Sequence, residues 1–243
     1  MVALTPLVRM TPTKVLILHY FKDIKSRGEL ARLLFAFYDI PYEQELLDLT
    51  AWTAEKKSTY PFRVLPCLEL AEMENEVDEN TRENHVYFSE IAAIAHYIAE
   101  LGGYGKTHDA RTRLQVHEVT SAIIHFMDKY VNQFSQRFIP IVTQGIALNT
   151  ELNAQEQAFF THTLYPFFQC LEDRLQNDTS CFVGKSDGLP EIMAFWIYDL
   201  VQISYGPFFD TSNLTRLHTM VERLRQNKRL AAYLESRPNA LPF

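Results

Sequence analysis

The sequence predicts a mixed α/β unit followed by an all-helical unit, and three observations carry that reading. Short apolar runs of strand length flank one amphipathic helix in the first part of the chain. A glycine cluster, Gly102-Gly103-Tyr104-Gly105-Lys106, then interrupts it. Beyond the cluster, apolar residues recur at helical spacing and no strand pattern returns. The boundary belongs there, which divides the chain into units 13–104 and 105–243. With 243 residues, 47% of them hydrophobic and 22% charged, the chain has the composition of a folded globular protein.

Val15-Leu16-Ile17-Leu18-His19-Tyr20 is short, rich in strand formers and bounded by Lys22-Asp23, so it reads as a buried strand. In the segment that follows, Leu30, Leu33, Leu34 and Phe37 repeat at i, i+3, i+4 and i+7, which makes one amphipathic helix ending near Asp39, ahead of Pro41. Tyr42 to Leu47 has strand character and completes a βαβ unit with its two strands parallel. Cys67-Leu68-Glu69-Leu70 and Val86-Tyr87-Phe88 read as an antiparallel pair, with Pro66 at a bend where no ladder donor is needed. Glu90 to Leu101 is a helix with Ile91, Ile94, Ala95 and Ile98 inward. The order β-α-β then β-β-α is the thioredoxin-like arrangement.

In the second half the apolar positions follow helical stripes, among them Val119, Ile123, Met127; Phe160, Leu164, Phe168, Leu171; Ile192, Phe195, Trp196; and Leu217, Val221, Leu224. Pro166 falls inside the second stripe and is expected to interrupt that helix. Lys+Arg total 23 against Asp+Glu 30, and a formal charge of −7 counts against a nucleic-acid binder that works by neutralising phosphates. Cys67, Cys170 and Cys181 form neither a disulfide framework nor a zinc motif, so a reducing compartment is expected. No run approaches the length of a membrane span or a signal-peptide core, and a cytoplasmic protein without a membrane partner is the expectation.

Four local motifs, in order, resemble the cytosolic glutathione transferases. His19-Tyr20-Phe21 resembles the Tyr-Phe of the sigma class, the class that includes haematopoietic prostaglandin D synthase and the cephalopod lens S-crystallins. Arg27-Gly28-Glu29-Leu30-Ala31-Arg32 is similar to the family's Arg-Ala-Glu-x-x-Arg first helix. Trp52 with Lys57 through Pro66 resembles the glutathione-site segment, and Ala93-Ile94-Ala95-His96-Tyr97-Ile98 resembles its Ala-Ile-Ala-Arg-Tyr-Leu helix. The resemblance implies a thioredoxin-like glutathione-binding domain followed by an all-helical domain.

It also implies glutathione as co-substrate, a small hydrophobic electrophile as second substrate, and a homodimer. Tyr20 would stabilise the thiolate. Trp52 and Lys57 would take the glycyl end, Arg27 would support the site, and Phe21 would border it. Val64 and Leu65, before a cis Leu65-Pro66 bond, would pair with the cysteinyl unit, and Glu90 and Ile91 would face the γ-glutamyl end. Phe21 and Ile24 would form one wall of the electrophile cleft, with Phe126 and Tyr130 as the other. The same resemblance admits a catalytically weak member kept for a binding or structural role. A domain that docks into a larger assembly through its acidic loop is a third reading.

Three departures from the pattern matter. Ile91 stands where the family has a serine, while Ser89, two positions earlier, is expected to point elsewhere. Asp128 stands beside Lys129 where sigma-class members carry an acidic pair directed at the partner subunit's ligand. The segment between the hairpin strands is far longer than the usual turn of about two to five residues. From Glu69 to Glu83 it holds seven acids and one base, and it is expected to oppose an anionic ligand, less so as salt is added. His85, His96, His117, His125 and His162 show no metal-ligand spacing and read as exposed or internally satisfied side chains, so no metal is expected.

Overall fold

A computed structural model describes residues 13–73, 85–144 and 151–237. β1 (Thr13–Phe21), α1 (Ser26–Tyr38) and β2 (Glu43–Leu47) form the βαβ unit, with Ile17 opposite Glu43 and Phe21 opposite Leu47 in a parallel ladder. β3 (Cys67–Met73) lies antiparallel on the other side of β1, and β4 (His85–Ser89) lies antiparallel to β3 at the edge. The sheet order is β2-β1-β3-β4. With α3 (Ile91–Leu101) this is the thioredoxin-like order read from the sequence. Residues 74–84, most of the acidic run, lie outside the described residues. Glu69 belongs to β3, not to that run.

Alternation along β1 sends Leu16 and Leu18 to one face, where they meet Leu30, Leu33 and Leu34 of α1 and Ile94, Ala95 and Ile98 of α3. His19 falls on the opposite face. Both long helices of this unit end in a Schellman turn. At α1 the reversing residue is Asp39, with φ 58°, and Ile40 N–H reaches Phe35 O at 3.0 Å. At α3 it is Gly103, with φ 88°, and Tyr104 N–H reaches Ala99 O at 2.9 Å. The sequence reading missed α2 (Ala54–Ser58), a five-residue helix whose Thr53 side chain accepts the Lys56 N–H.

The second half is helical throughout its described residues: α4 (Ala110–Gln144), α5 (Ala154–Phe159), α6 (Tyr165–Arg174), α7 (Leu189–Tyr205), α8 (Thr215–Arg225) and α9 (Lys228–Ser236). A π-turn over Phe160–Leu164 separates α5 from α6. Pro166 explains it, because the ring lacks an N–H and would crowd the carbonyl four residues back in a regular helix. α7 is apolar all round and nearly all buried, so it forms the axis of this half. One contiguous core runs through both halves.

α1 forms the seam between them. Trp196 of α7 donates its indole N–H to Ser26 O at 2.9 Å. Glu29, buried on the same helix, accepts from the Tyr233 hydroxyl at 2.9 Å and pairs with Arg237 at 3.3 Å. Arg237 in turn holds Asp199 at 2.7 Å.

α7 begins on Glu191, whose carboxylate accepts Phe182 N–H at 2.7 Å and Gly188 N–H at 2.9 Å. Burial nevertheless pushes its pKa up to about 7 from an ordinary 4.5. The folded protein therefore holds a proton between those values that the unfolded chain releases. This group's contribution to stability is fully present at low pH and declines as pH rises to about 7, at about 1.4 kcal/mol per unit of displacement. Denaturant unfolding of the parent and Glu191→Gln across pH 4 to 8 checks this: the parent's stability should fall relative to the variant's as pH rises through about this window.

Candidate functional site

The register brings the expected glutathione residues to one end of the sheet. His19 pairs with Cys67, and Cys67 with Ser89, so Tyr20–Phe21, Leu65–Pro66 and Glu90–Ile91 follow side by side as three strands finish or begin. The Leu65–Pro66 peptide is cis. Ser89 is buried and its hydroxyl donates to Pro61 O at 2.8 Å, which pins the turn carrying Val64 to the edge strand. Ser89 thus points away from the α3 N-terminus.

An aromatic group builds the side of the site nearest β2. Phe21 meets Trp52 edge to face at 5.5 Å, and Trp52 meets Tyr60 at 5.6 Å. The Lys57 ammonium lies 5.8 Å from the Trp52 ring, set there by α2. Beneath them lies a polar cluster that sequence reasoning missed. His19, only 2% exposed, bonds Glu69 at 2.6 Å through Nε2 and the Tyr60 hydroxyl at 3.2 Å through Nδ1. Glu69 also bonds His85. Burial by itself would push Glu69 up, but the bonds from His85 and His19 outweigh it and hold the carboxyl below its usual range. The strand alternation that places His19 on this face was legible. Its pairing with a residue fifty positions away was not.

Tyr20 is 4% exposed, and its ring lies directly on the backbone of Gly28. A β-carbon there would stand 2.3 Å from the ring, so the glycine that replaces the family's alanine makes room for the tyrosine. Burial pushes the phenol up, although bonds from the Ser26 side chain and Gly28 backbone and the charges of Arg27 and Arg32 work against it. The hydroxyl thus keeps its proton while its oxygen accepts from Ser26 and the Gly28 N–H at the start of α1.

Glu90 is exposed and takes φ 76° just before α3, a strained conformation for a side-chain-bearing residue. Ile91 turns inward, 4% exposed, and joins the core. Only its backbone is left at the start of α3.

The expected electrophile walls do not meet. Phe126 and Tyr130 are buried in the helical core, where Phe126 stacks on Phe167 at 3.9 Å. Asp128 shows why: it pairs with Arg27 at 2.7 Å, and residues two places away on a helix lie about 200° round from it. Asp128 faces Arg27 of the N-terminal unit, while Phe126 and Tyr130 point to the opposite side of α4. Arg27 is taken up by this exposed pair, worth at most about 1 kcal/mol. Ile24 is buried on the α9 side, in a small cleft of about 80 Å³ with Gln44, Tyr233 and Arg237. Of the residues expected to wall the cleft, Phe21 alone borders the glutathione end.

Among the described residues no group of three or more His, Cys, Asp or Glu side chains could hold a metal ion. Nor is any described helix long and apolar enough to cross a membrane.

A mixed four-stranded sheet joined to a helical half through α1, with a cis-proline turn beside a strand-end tyrosine, is the fold of the glutathione transferases. Residues 140–237 match the family model for the glutathione S-transferase C-terminal domain. S-crystallin 4 of Enteroctopus dofleini is 22% identical over 229 residues, covering 90% of this chain and 95% of that protein. A glutathione S-transferase of Caenorhabditis elegans superimposes with a TM-score of 0.70 at 19% identity, covering 93% of this chain and all of that one. Prostaglandin synthase D of Nilaparvata lugens does so at 0.67 and 17%, covering 92% and 98%. Residues 140–237 thus match the C-terminal domain of the glutathione S-transferases, and the whole chain has the glutathione transferase fold and is similar in sequence to S-crystallins.

Two substitutions check this geometry. Gly28→Ala should displace the Tyr20 ring and cost about 1–3 kcal/mol in denaturant unfolding, since the nearest atoms are ring carbons with little room to move. Ile91→Ser should cost about 2–4 kcal/mol by leaving a cavity and burying a hydroxyl, without the gain in glutathione affinity expected of a serine facing the site.

Proposed function

We propose that this chain binds glutathione through the unit 13–104 and transfers it to small hydrophobic electrophiles, with Tyr20 donating a hydrogen bond to the thiolate. The observation that carries the reading is the convergence of Tyr20–Phe21, Leu65–Pro66 and Glu90–Ile91 at one end of the sheet, flanked by Trp52 and Lys57. Glutathione is an extended peptide with two carboxylates and an amine. Lys57 and Trp52 suit the glycyl carboxylate, the backbone of Leu65 suits the cysteinyl unit, and Glu90 suits the γ-glutamyl ammonium. The first N–H groups of α3 suit the remaining carboxylate.

A free thiol with pKa near 8.5 is only a few per cent thiolate at pH 7, and lowering that pKa by about two units stabilises the anion by roughly 2.7 kcal/mol. A neutral phenol that keeps its proton well into the alkaline range is a suitable donor. Cys67, Cys170 and Cys181 are free, which suits a cytosolic protein, and a homodimer is the expected assembly.

The second reading is a catalytically weak member kept for binding or structure. The burial of Tyr20, the inward Ile91 and the Arg27–Asp128 pair favour it, as does similarity to proteins named S-crystallins. Glutathione calorimetry together with turnover of chlorodinitrobenzene separates the two. Under the first reading glutathione binds at millimolar affinity or tighter, Lys57→Ala weakens it about tenfold or more, and Tyr20→Phe lowers turnover by about 10- to 100-fold. Binding without turnover assigns the chain to the second reading, and turnover unchanged in Tyr20→Phe removes Tyr20 as the thiolate's donor. Absence of binding removes the enzyme.

A further inference from the structure

A separate cavity of about 400 Å³, within the size range of small-ligand sites, lies where α3 ends and α4 begins. It stands at the far end of α3 from Ile91, about 15 Å away along the helix axis. The glycine cluster singled out in the sequence builds it. Gly103 and Gly105 take φ 88° and 81°, conformations that let the chain fold back on itself after α3. The reversal carries Lys106 and His108 to the cavity wall, with the Lys106 ammonium folded over Gly103.

The charges in this cavity oppose those of the chain as a whole. Lys106 comes from the turn and Arg113 from the first turns of α4, and among the described residues neither pairs with a carboxylate. His96 of α3 and His117 of α4 face each other with ring centroids 4.7 Å apart. Burial and the neighbouring His117 hold the His96 imidazole below its usual pKa. Glu100 is the one carboxylate in the wall. The apolar part is formed by the Tyr104 ring with Ala99 and Val116.

Two cations without a carboxylate partner among the described residues, Lys106 and Arg113, the latter donating to His108 O, stand with a facing imidazole pair and an aromatic ring in one concave site, and together they match an oxyanion attached to a compact apolar body. We propose that this cavity binds a small phosphate monoester, with the phosphate between Lys106, Arg113 and the His96–His117 pair and its organic part against Tyr104. The site is independent of the proposed glutathione site and uses none of its residues.

The test is calorimetric titration of the full chain with phenyl phosphate, phenyl sulfate and phenol, in the presence of saturating glutathione. Phenyl phosphate should bind at millimolar affinity or tighter, with the monoanionic sulfate ester weaker and phenol weaker by about tenfold or more, since loss of a charge-assisted bond is worth at least that factor. Lys106→Ala, Arg113→Ala and His117→Ala should each weaken phenyl phosphate about tenfold while leaving glutathione affinity unchanged. Because all three side chains lie at the surface of the fold, circular dichroism and melting temperature should match the parent. No measurable binding of phenyl phosphate, equal binding of phenol, or affinity unchanged in Lys106→Ala and Arg113→Ala overturns the proposal. If glutathione itself fails to bind, the reading of the Tyr20 site fails alone, and the phosphate titration still decides this one.

Discussion

The rest of the structure depends on the burial of α1 between the sheet and the helical half. Its apolar residues Leu30, Leu33 and Leu34 fill the sheet side, while Ser26 and Glu29 turn toward α7 and α9. Glu29, Arg237 and Asp199 form a chain of charges taken largely out of water. Such a chain adds little against an apolar alternative, but losing one member strands the others at a cost of about 3–5 kcal/mol. Its effect is to fix how the halves meet, because only one docking of α9 satisfies all three groups.

That fixed seam reaches the site through a short path. Trp196 holds the carbonyl of Ser26, the Ser26 side chain bonds the Tyr20 hydroxyl, and the Tyr20 ring rests on Gly28 two residues further along α1. The strand-end tyrosine is therefore positioned by the helical half as well as by its own strand. Glu29 of the first-helix motif serves the seam, whereas Gly28 and Arg32 of the same motif lie against the tyrosine. One short stretch of sequence resembles the family for two separate physical reasons.

Much of this was legible beforehand. Strand alternation in Val15–Tyr20, the helical stripe from Leu30 to Phe37 and the glycine break at 102–105 each report on local geometry, and each was found where expected. Pro166 marked its helix interruption for the same reason. The short α2 went unread because five residues show too little periodicity. Phe126 and Tyr130 were expected at the cleft because aromatic residues on a long helix fit either an open wall or a core. The wheel position that decides between these is set by burial of the α4 stripe, with Ile123, Met127 and Tyr130 in the core, which leaves Asp128 facing Arg27.

The sequence by itself determined the order of the main strands and helices and the layout of a sheet-bearing first half and a helical second half, since these follow from periodicity and turn chemistry, while the expected residues at the Tyr20 end came from the resemblance to the family. Tertiary structure alone decided which way the side chains face: Tyr20 seated over Gly28, Ile91 into the core, and Glu69 between two histidines. It also gathered Lys106, Arg113 and the His96–His117 pair around one cavity. Backbone conformation is governed by near neighbours in the chain, but burial and charge pairing depend on residues brought close only when the whole core closes.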